Sequence, residues 1–445
     1  MRTVWTMTAM VVVGLGAAPD DIAAQLTDSG AVAAAERFIG LLQAGEWNAA
    51  ESMVAPALRE RLGAAQLEVV WGQIRGSLGE GEATRVRGVS VIDSMRAVEL
   101  YGDFARDTVI LRVVFSPGTE VSGFWVGPVP DDAPLAVGSP PYAVSSRFVE
   151  IDVEVGADPW LLPATLTVPA VAGRHPAVVL VHGSGPHDRD ETVGGTKVFR
   201  DLAWGLATNG VAVLRYEKRT HVHGAKMGAD VSVESEVIED ALAALDLVRA
   251  HPSVDPARIY VAGHSLGAHL APEIARLDGR VAGAILLAAT ARPIGAVMED
   301  QVQYLSRLPE NAAPEVQAQF NAVLAQVRRL TSGEAADTEM VLGAPVSYFR
   351  DLEARDAVAE ALGIDIPLLV LQGERDYQVT MTDFEIWREA TRDRPATSLV
   401  SFPSLNHLFV TGSGVATPAE YARPAFVAGE VITTLLNWMG MDGDR

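Results

Sequence analysis

The sequence predicts an α/β fold: a mostly parallel sheet flanked by helices, carrying a helical insertion and preceded by a small α+β unit. Three observations carry this. From residue 146 onward, apolar strand-like runs alternate with amphipathic helical stretches. Before it, helical spacing gives way to a run of period-two segments. Between the two lies GPVPDDAPLAVGSPPYAVSS, whose Pro, Gly, Asp and Ser mark an exposed linker over 128–145.

The chain opens on Met1-Arg2-Thr3, then the apolar VWTMTAMVVVGLGAA, then small residues in IAAQ. This pattern predicts a secretory signal over 1–24, with cleavage after Ala24 or alternatively Ala18, and hence export to the periplasm or the medium. The apolar stretch is too short and too poorly flanked for a stable membrane span, and no other long uninterrupted apolar run follows. In the next segment, 28–127, AVAAAERFIGLLQAGEWNAAESMVAPALRERLG places apolar residues three and four apart, up to Gly63. TRVRGVSVIDSM, RAVELYGDFA, RDTVILRVVF and VSGFWVGPV then alternate, predicting antiparallel strands.

Over 146–445, RFVEIDVEV and LLPATLTVP predict an antiparallel opening pair. PAVVLVHG, VAVLRYEKR, ARIYVAGHS and VAGAILLAA follow as continuous apolar runs separated by helices, the mark of strands buried on both faces. The alternation stops over about 294–363, a helical and polar stretch that predicts a cap. Its Met298, Tyr304, Leu308, Phe320 and Phe349 are candidates for a pocket wall, with helix packing as the plainer expectation. The sheet resumes with IPLLVLQGERD and ATSLVSFPSLNH, and a helix over PAFVAGEVITTLLNWM closes the chain.

Composition narrows the function. A net charge of −22 argues against nucleic acid or an anionic membrane surface as a partner. With no cysteine, thiolate catalysis, zinc–thiolate sites and disulfides are excluded. HDRDETVGG is too sparse at ligand spacing for a metal site, and neither metal nor cofactor is expected.

The chemistry is carried by GHSLG, which sets Ser265 between Gly263 and Gly267 at a strand-to-helix turn. A serine hydroxyl is a weak nucleophile until a base takes its proton and a third group orients that base. Asp376, in the GERD turn after a later strand, is the expected acid, and His407, after the last strand, the expected base. His264 is too near Ser265 along the chain to serve as that base. An acyl-transfer intermediate also needs preorganised donors. The Leu266 N–H at the helix start supplies one, and the Ser184 N–H in HGSG, between the turn-forming Gly183 and Gly185, the other.

The order HGSGP, GHSLG, GERD, NH on alternating strands and helices resembles the α/β-hydrolase superfamily. VHGSGPHDRDETVGGTKVFRDLAWGLATNGVAVLRYEKRT is similar, more narrowly, to bacterial EstD-like serine esterases, which carry a small N-terminal domain. The resemblance implies hydrolysis of small-molecule carboxylic esters, most often with short acyl chains, by Ser265, Asp376 and His407. The N-terminal unit resembles, by pattern alone, cone-shaped α+β domains related to nuclear transport factor. A thioesterase or a peptidase acting on small amides needs the same constellation. A binding protein with an inert hydrolase domain is the rival from another class, although it has no chemical need for all four elements. The sequence leaves the oligomeric state open.

Overall fold

The computed structural model describes residues 28–441, apart from 93–94, 107, 117–119, 129–138, 228–230 and 422. The expected signal over 1–24 and most of the expected linker lie outside the described residues. Two compact units divide at Ala133 and Pro134.

In the first unit, helices α1 (Asp28–Ala44), α2 (Trp47–Ser52) and α3 (Ala64–Leu78) precede a four-stranded antiparallel sheet in sequential order. Its strands are β1 (Gly81–Ile92), β2 (Met95–Phe104), β3 (Thr108–Phe115) and β4 (Val121–Pro128). The period-two segments predict these strands. The helical region, however, runs past Gly63 to Leu78. Gly63 is an extended residue that starts a new helix, and Leu67, Trp71 and Leu78 bury one face of α3. Phe38, Leu42, Leu100, Leu111 and Phe115 share that core.

The second unit is built on an eight-stranded sheet. Its strands are β5 (Phe148–Val155), β6 (Leu162–Pro169), β7 (His175–Val181), β8 (Ala212–Tyr216), β9 (Val254–His264), β10 (Gly283–Leu287), β11 (Leu368–Gly373) and β12 (Thr397–Phe402). Their spatial order is β12-β11-β10-β9-β7-β8-β6-β5. Strands β7 to β12 pair in parallel, while β6 pairs antiparallel with both β5 and β8.

The continuous apolar runs are explained by burial on both faces. In β7, Ala177, Val179 and Val181 join one core while Val178 and Leu180 join the other. Ala284 and Leu286 against Ile285 and Leu287 repeat the division in β10. One face is covered by helices α4 (Glu239–Ala250), α5 (Leu266–Asp278) and α6 (Met381–Ala390), and the other by α7 (Val198–Thr208) and α8 (Gly429–Trp438). Between β10 and β11 the chain forms helices over Ile294–Ser306, Pro314–Thr331, Val346–Glu353 and Ala357–Leu362 with one short hairpin. Among the described residues, this insertion adds no strand to the large sheet.

Candidate active site

Strand β9 lies between β7 and β10, with Gly263 opposite Val181 and His264 opposite Leu287. The chain leaves it through Ser265 at φ 54°, ψ −115°, and enters α5 at Leu266. A non-glycine residue held there is strained, and such strain persists only where the surroundings over-determine it. Here Ser265 N–H donates to the Leu287 carbonyl at 2.9 Å, and the Ser265 carbonyl accepts from His269 N–H at 3.0 Å. The flanking glycines are required by contact. A Cβ on Gly263 would lie 2.0 Å from the Gly267 carbonyl oxygen, and one on Gly267 would lie 2.1 Å from that of Val181. Leu266 begins a helix, so its N–H has no carbonyl one turn earlier, and it sits at the positive end of the helix dipole.

Asp376 follows the end of β11 and His407 the end of β12, the same carboxyl edge of the sheet at which Ser265 stands. His407 Nδ1 lies 2.6 Å from Asp376 Oδ2, with the two residues 4% and 5% exposed. The other carboxylate oxygen accepts the backbone N–H groups of Gln378 (2.7 Å) and Val379 (3.0 Å). Gln372 Nε2, also buried, donates to Oδ2 at 3.2 Å. A carboxylate facing Nδ1 places the ring proton there and leaves Nε2 as the basic nitrogen. Among the described residues no hydrogen bond joins Ser265 Oγ to His407; such bonds commonly tighten only in the substrate complex.

The loop after β7 carries His182-Gly183-Ser184-Gly185. Gly183 is buried against Ser265, since a Cβ there would stand 3.3 Å from Ser265 Cβ. Ser184 is exposed, its carbonyl facing His187 Nε2 at 2.7 Å, and Gly185 follows at φ +100°.

A second buried acid–histidine pair adjoins the first. His264 Nε2 lies 2.9 Å from the His407 carbonyl, and its Nδ1 lies 3.1 Å from Glu191 Oε2. Both ring nitrogens lie beside oxygens, and with Glu191 ionised this arrangement favours the doubly protonated, cationic ring. Burial favours the neutral ring, but the Glu191 carboxylate outweighs it and raises the His264 pKa. Burial likewise penalises the Glu191 anion, but the His264 charge holds its carboxyl down to about 2. Glu191 Oε1 also accepts Gly183 N–H at 2.7 Å, so this one carboxylate ties the HGSG loop to the residue before Ser265. The other acids of HDRDETVGG are likewise engaged by protein partners. Asp188 accepts from Thr192 N–H and Oγ1, and Asp190 pairs with Lys197 and Arg215.

Sequence reasoning missed Glu191 and Gln372 as parts of this site. Glu191 reads as one more acid in a charged loop, and only the fold brings it to His264.

The family model described as serine aminopeptidase, S33, matches residues 173–410. Esterase EstD of Thermotoga maritima is 37% identical over 406 residues, covering 90% of this chain and 93% of that protein. A match of that length reaches beyond the hydrolase unit into the N-terminal one. Among solved structures, Est1E of Butyrivibrio proteoclasticus aligns with 65% of this chain and 99% of its own at 17% identity and a TM-score of 0.42. An esterase of Pyrococcus furiosus aligns with 59% and 84% at 18% identity and a TM-score of 0.41. By the family match and the extent of its likeness to EstD, the chain belongs to the α/β-hydrolase superfamily, in the serine hydrolase family that this model describes.

Proposed function

We propose that this protein is an exported serine esterase that cleaves small carboxylic esters, with a preference for short acyl chains. The observation that carries the reading is the Asp376–His407 pair, at 2.6 Å, on the same sheet edge as the strained Ser265 turn. The named activity of the EstD relative supports the ester substrate.

In this reading His407 Nε2 takes the Ser265 hydroxyl proton as Oγ attacks the ester carbonyl. Asp376 keeps the other ring proton on Nδ1 and stabilises the imidazolium. The N–H groups of Leu266 and Ser184 receive the negative oxygen of the tetrahedral intermediate. As the intermediate collapses, His407 returns the proton to the departing alkoxide, which leaves as the alcohol and leaves an acyl-serine. Water, deprotonated by His407, then attacks the acyl carbon. Collapse of the second intermediate releases the carboxylic acid and restores Ser265.

The helical insertion walls the acyl pocket. In support, Tyr304 of the insertion stacks on Tyr377, next to the acid, at 5.1 Å between ring centroids. Export rests on the N-terminal segment, and a mature protein beginning near Gln25 is its expected signature.

The test is turnover of p-nitrophenyl esters of rising acyl length, a thioester and an anilide, by the wild type and Ser265→Ala. Turnover highest on acetate or butyrate and lost in the variant is the expected result. A variant as active as the wild type overturns the nucleophile assignment, and turnover confined to the anilide overturns the ester reading in favour of a peptidase.

A further inference from the structure

The peptide that carries the Ser184 N–H is gripped from behind by a buried cation. Lys218 is 2% exposed, and its Nζ donates to the Gly183 carbonyl at 2.8 Å. The same ammonium faces Glu236 Oε1 at 3.2 Å. Glu236 in turn accepts from the Tyr348 hydroxyl at 2.5 Å and the Thr220 hydroxyl at 2.9 Å, and it lies in a π-helical turn over Glu234–Ile238. An ammonium is costly to bury unless it is paired and hydrogen-bonded. Pairing with Glu236 meets that need. The donation to a neutral carbonyl beside the nucleophile is not explained by it.

The Gly183 carbonyl and the Ser184 N–H belong to one planar trans peptide, and in such a unit the two groups point in opposite directions. Fixing the carbonyl on one side therefore fixes the N–H on the other. A cation on the carbonyl oxygen also draws electron density from the amide nitrogen, which makes its N–H a stronger donor. The preceding peptide is held as well, because Glu191 accepts the Gly183 N–H at 2.7 Å. Gly183 is thus clamped at both ends by buried charges of opposite sign.

We propose that Lys218 is a positioning residue for the oxyanion hole: through the Gly183 carbonyl it aims and polarises the Ser184 N–H toward the developing oxyanion. This rests on the reading of Ser265 as nucleophile and Ser184 as donor. Lys218 touches no reacting atom, so its removal acts on the transition state and leaves ester binding in place.

The experiment compares Lys218→Met/Glu236→Gln with the wild type, which keeps the Lys218–Glu236 pair, so that neither protein buries an unpaired charge. Four quantities are read: kcat and KM on p-nitrophenyl butyrate, near-UV circular dichroism, and Ki for an alkyl trifluoromethyl ketone. The ketone's adduct with serine places an anionic oxygen in the oxyanion hole. The expected result is a kcat lower by ~10- to 100-fold, KM within about threefold, and a Ki raised by the same factor as kcat falls. If the double variant does not fold, Lys218→Met/Glu236→Leu, which fills the site with apolar groups, is measured against the wild type instead. A folded variant whose kcat and Ki both stay within threefold of its reference overturns the proposal, as does a change in KM alone. Ser265→Ala separates the two levels. An active Ser265→Ala sinks the underlying reading, whereas an inactive one beside unchanged Lys218 variants sinks this proposal only.

Discussion

Replacing Glu191 by glutamine keeps the side chain's shape and removes one negative charge from a position that is 1% exposed. In the folded protein its carboxyl is held at about 2 against an ordinary 4.5. At about 1.4 kcal/mol per pKa unit, that preference for the anion corresponds to about 3 kcal/mol. The sign follows from linkage. A depressed carboxyl contributes stability that is present above pH 4.5 and is lost as pH falls toward 2. The raised His264 contributes stability that is present below its ordinary 6.5 and is lost as pH rises through its higher folded value. These are two views of one ion pair and count once. The stability gap between wild type and Glu191→Gln is therefore widest between the two limits, at about 2–3 kcal/mol, and narrows on both sides. Glutamine keeps an oxygen for Gly183 N–H, so the loop stays tied while the charge is gone. Urea unfolding of both proteins across pH 3 to 10 measures the gap. A gap that is the same at every pH, or below about 0.5 kcal/mol throughout, refutes the assignment of a buried cationic His264.

Further outcomes follow from the site and its frame. Asp376→Asn lets Nδ1 face an amide, favours the wrong tautomer of His407, and lowers kcat by roughly 10³- to 10⁴-fold with little change in KM, read by steady-state kinetics. Gly267→Ala puts a Cβ 2.1 Å from the Val181 carbonyl oxygen, so the end of β7 must retreat by about 1 Å. That displacement carries the HGSG loop with it and costs about 10²-fold in kcat, against less than tenfold for Gly224→Ala, where a Cβ meets nothing within 4 Å. Trp387→Ala empties a fully buried site and frees the Ala289 carbonyl from its 3.0 Å bond to the indole, costing about 3–5 kcal/mol of unfolding free energy by urea titration.

Local pattern made much of the fold legible. The apolar runs of β7 and β10 name a two-sided sheet because each residue faces one core or the other. GHSLG names its turn because Gly263 and Gly267 stand where any Cβ would strike backbone. Asp376 and His407 were legible from chain order, each following a strand, and the fold brings them into contact. The supporting charges were not. Glu191 meets His264, and Lys218 meets Gly183 and Glu236, only across the folded sheet edge, and no short-range spacing encodes those meetings. The start of α3 was missed for a different reason. Gly63 reads as a terminator, yet its extended backbone opens the next helix.

Labelling the native protein with a fluorophosphonate and locating the adduct by peptide mass spectrometry decides whether Ser265 is the nucleophile of an acyl-enzyme. One adduct per chain is expected, on Ser265, formed in step with the loss of p-nitrophenyl butyrate turnover and absent from His407→Gln over the same time. Turnover that survives full modification of Ser265, or is lost with the adduct on another residue, contradicts that role.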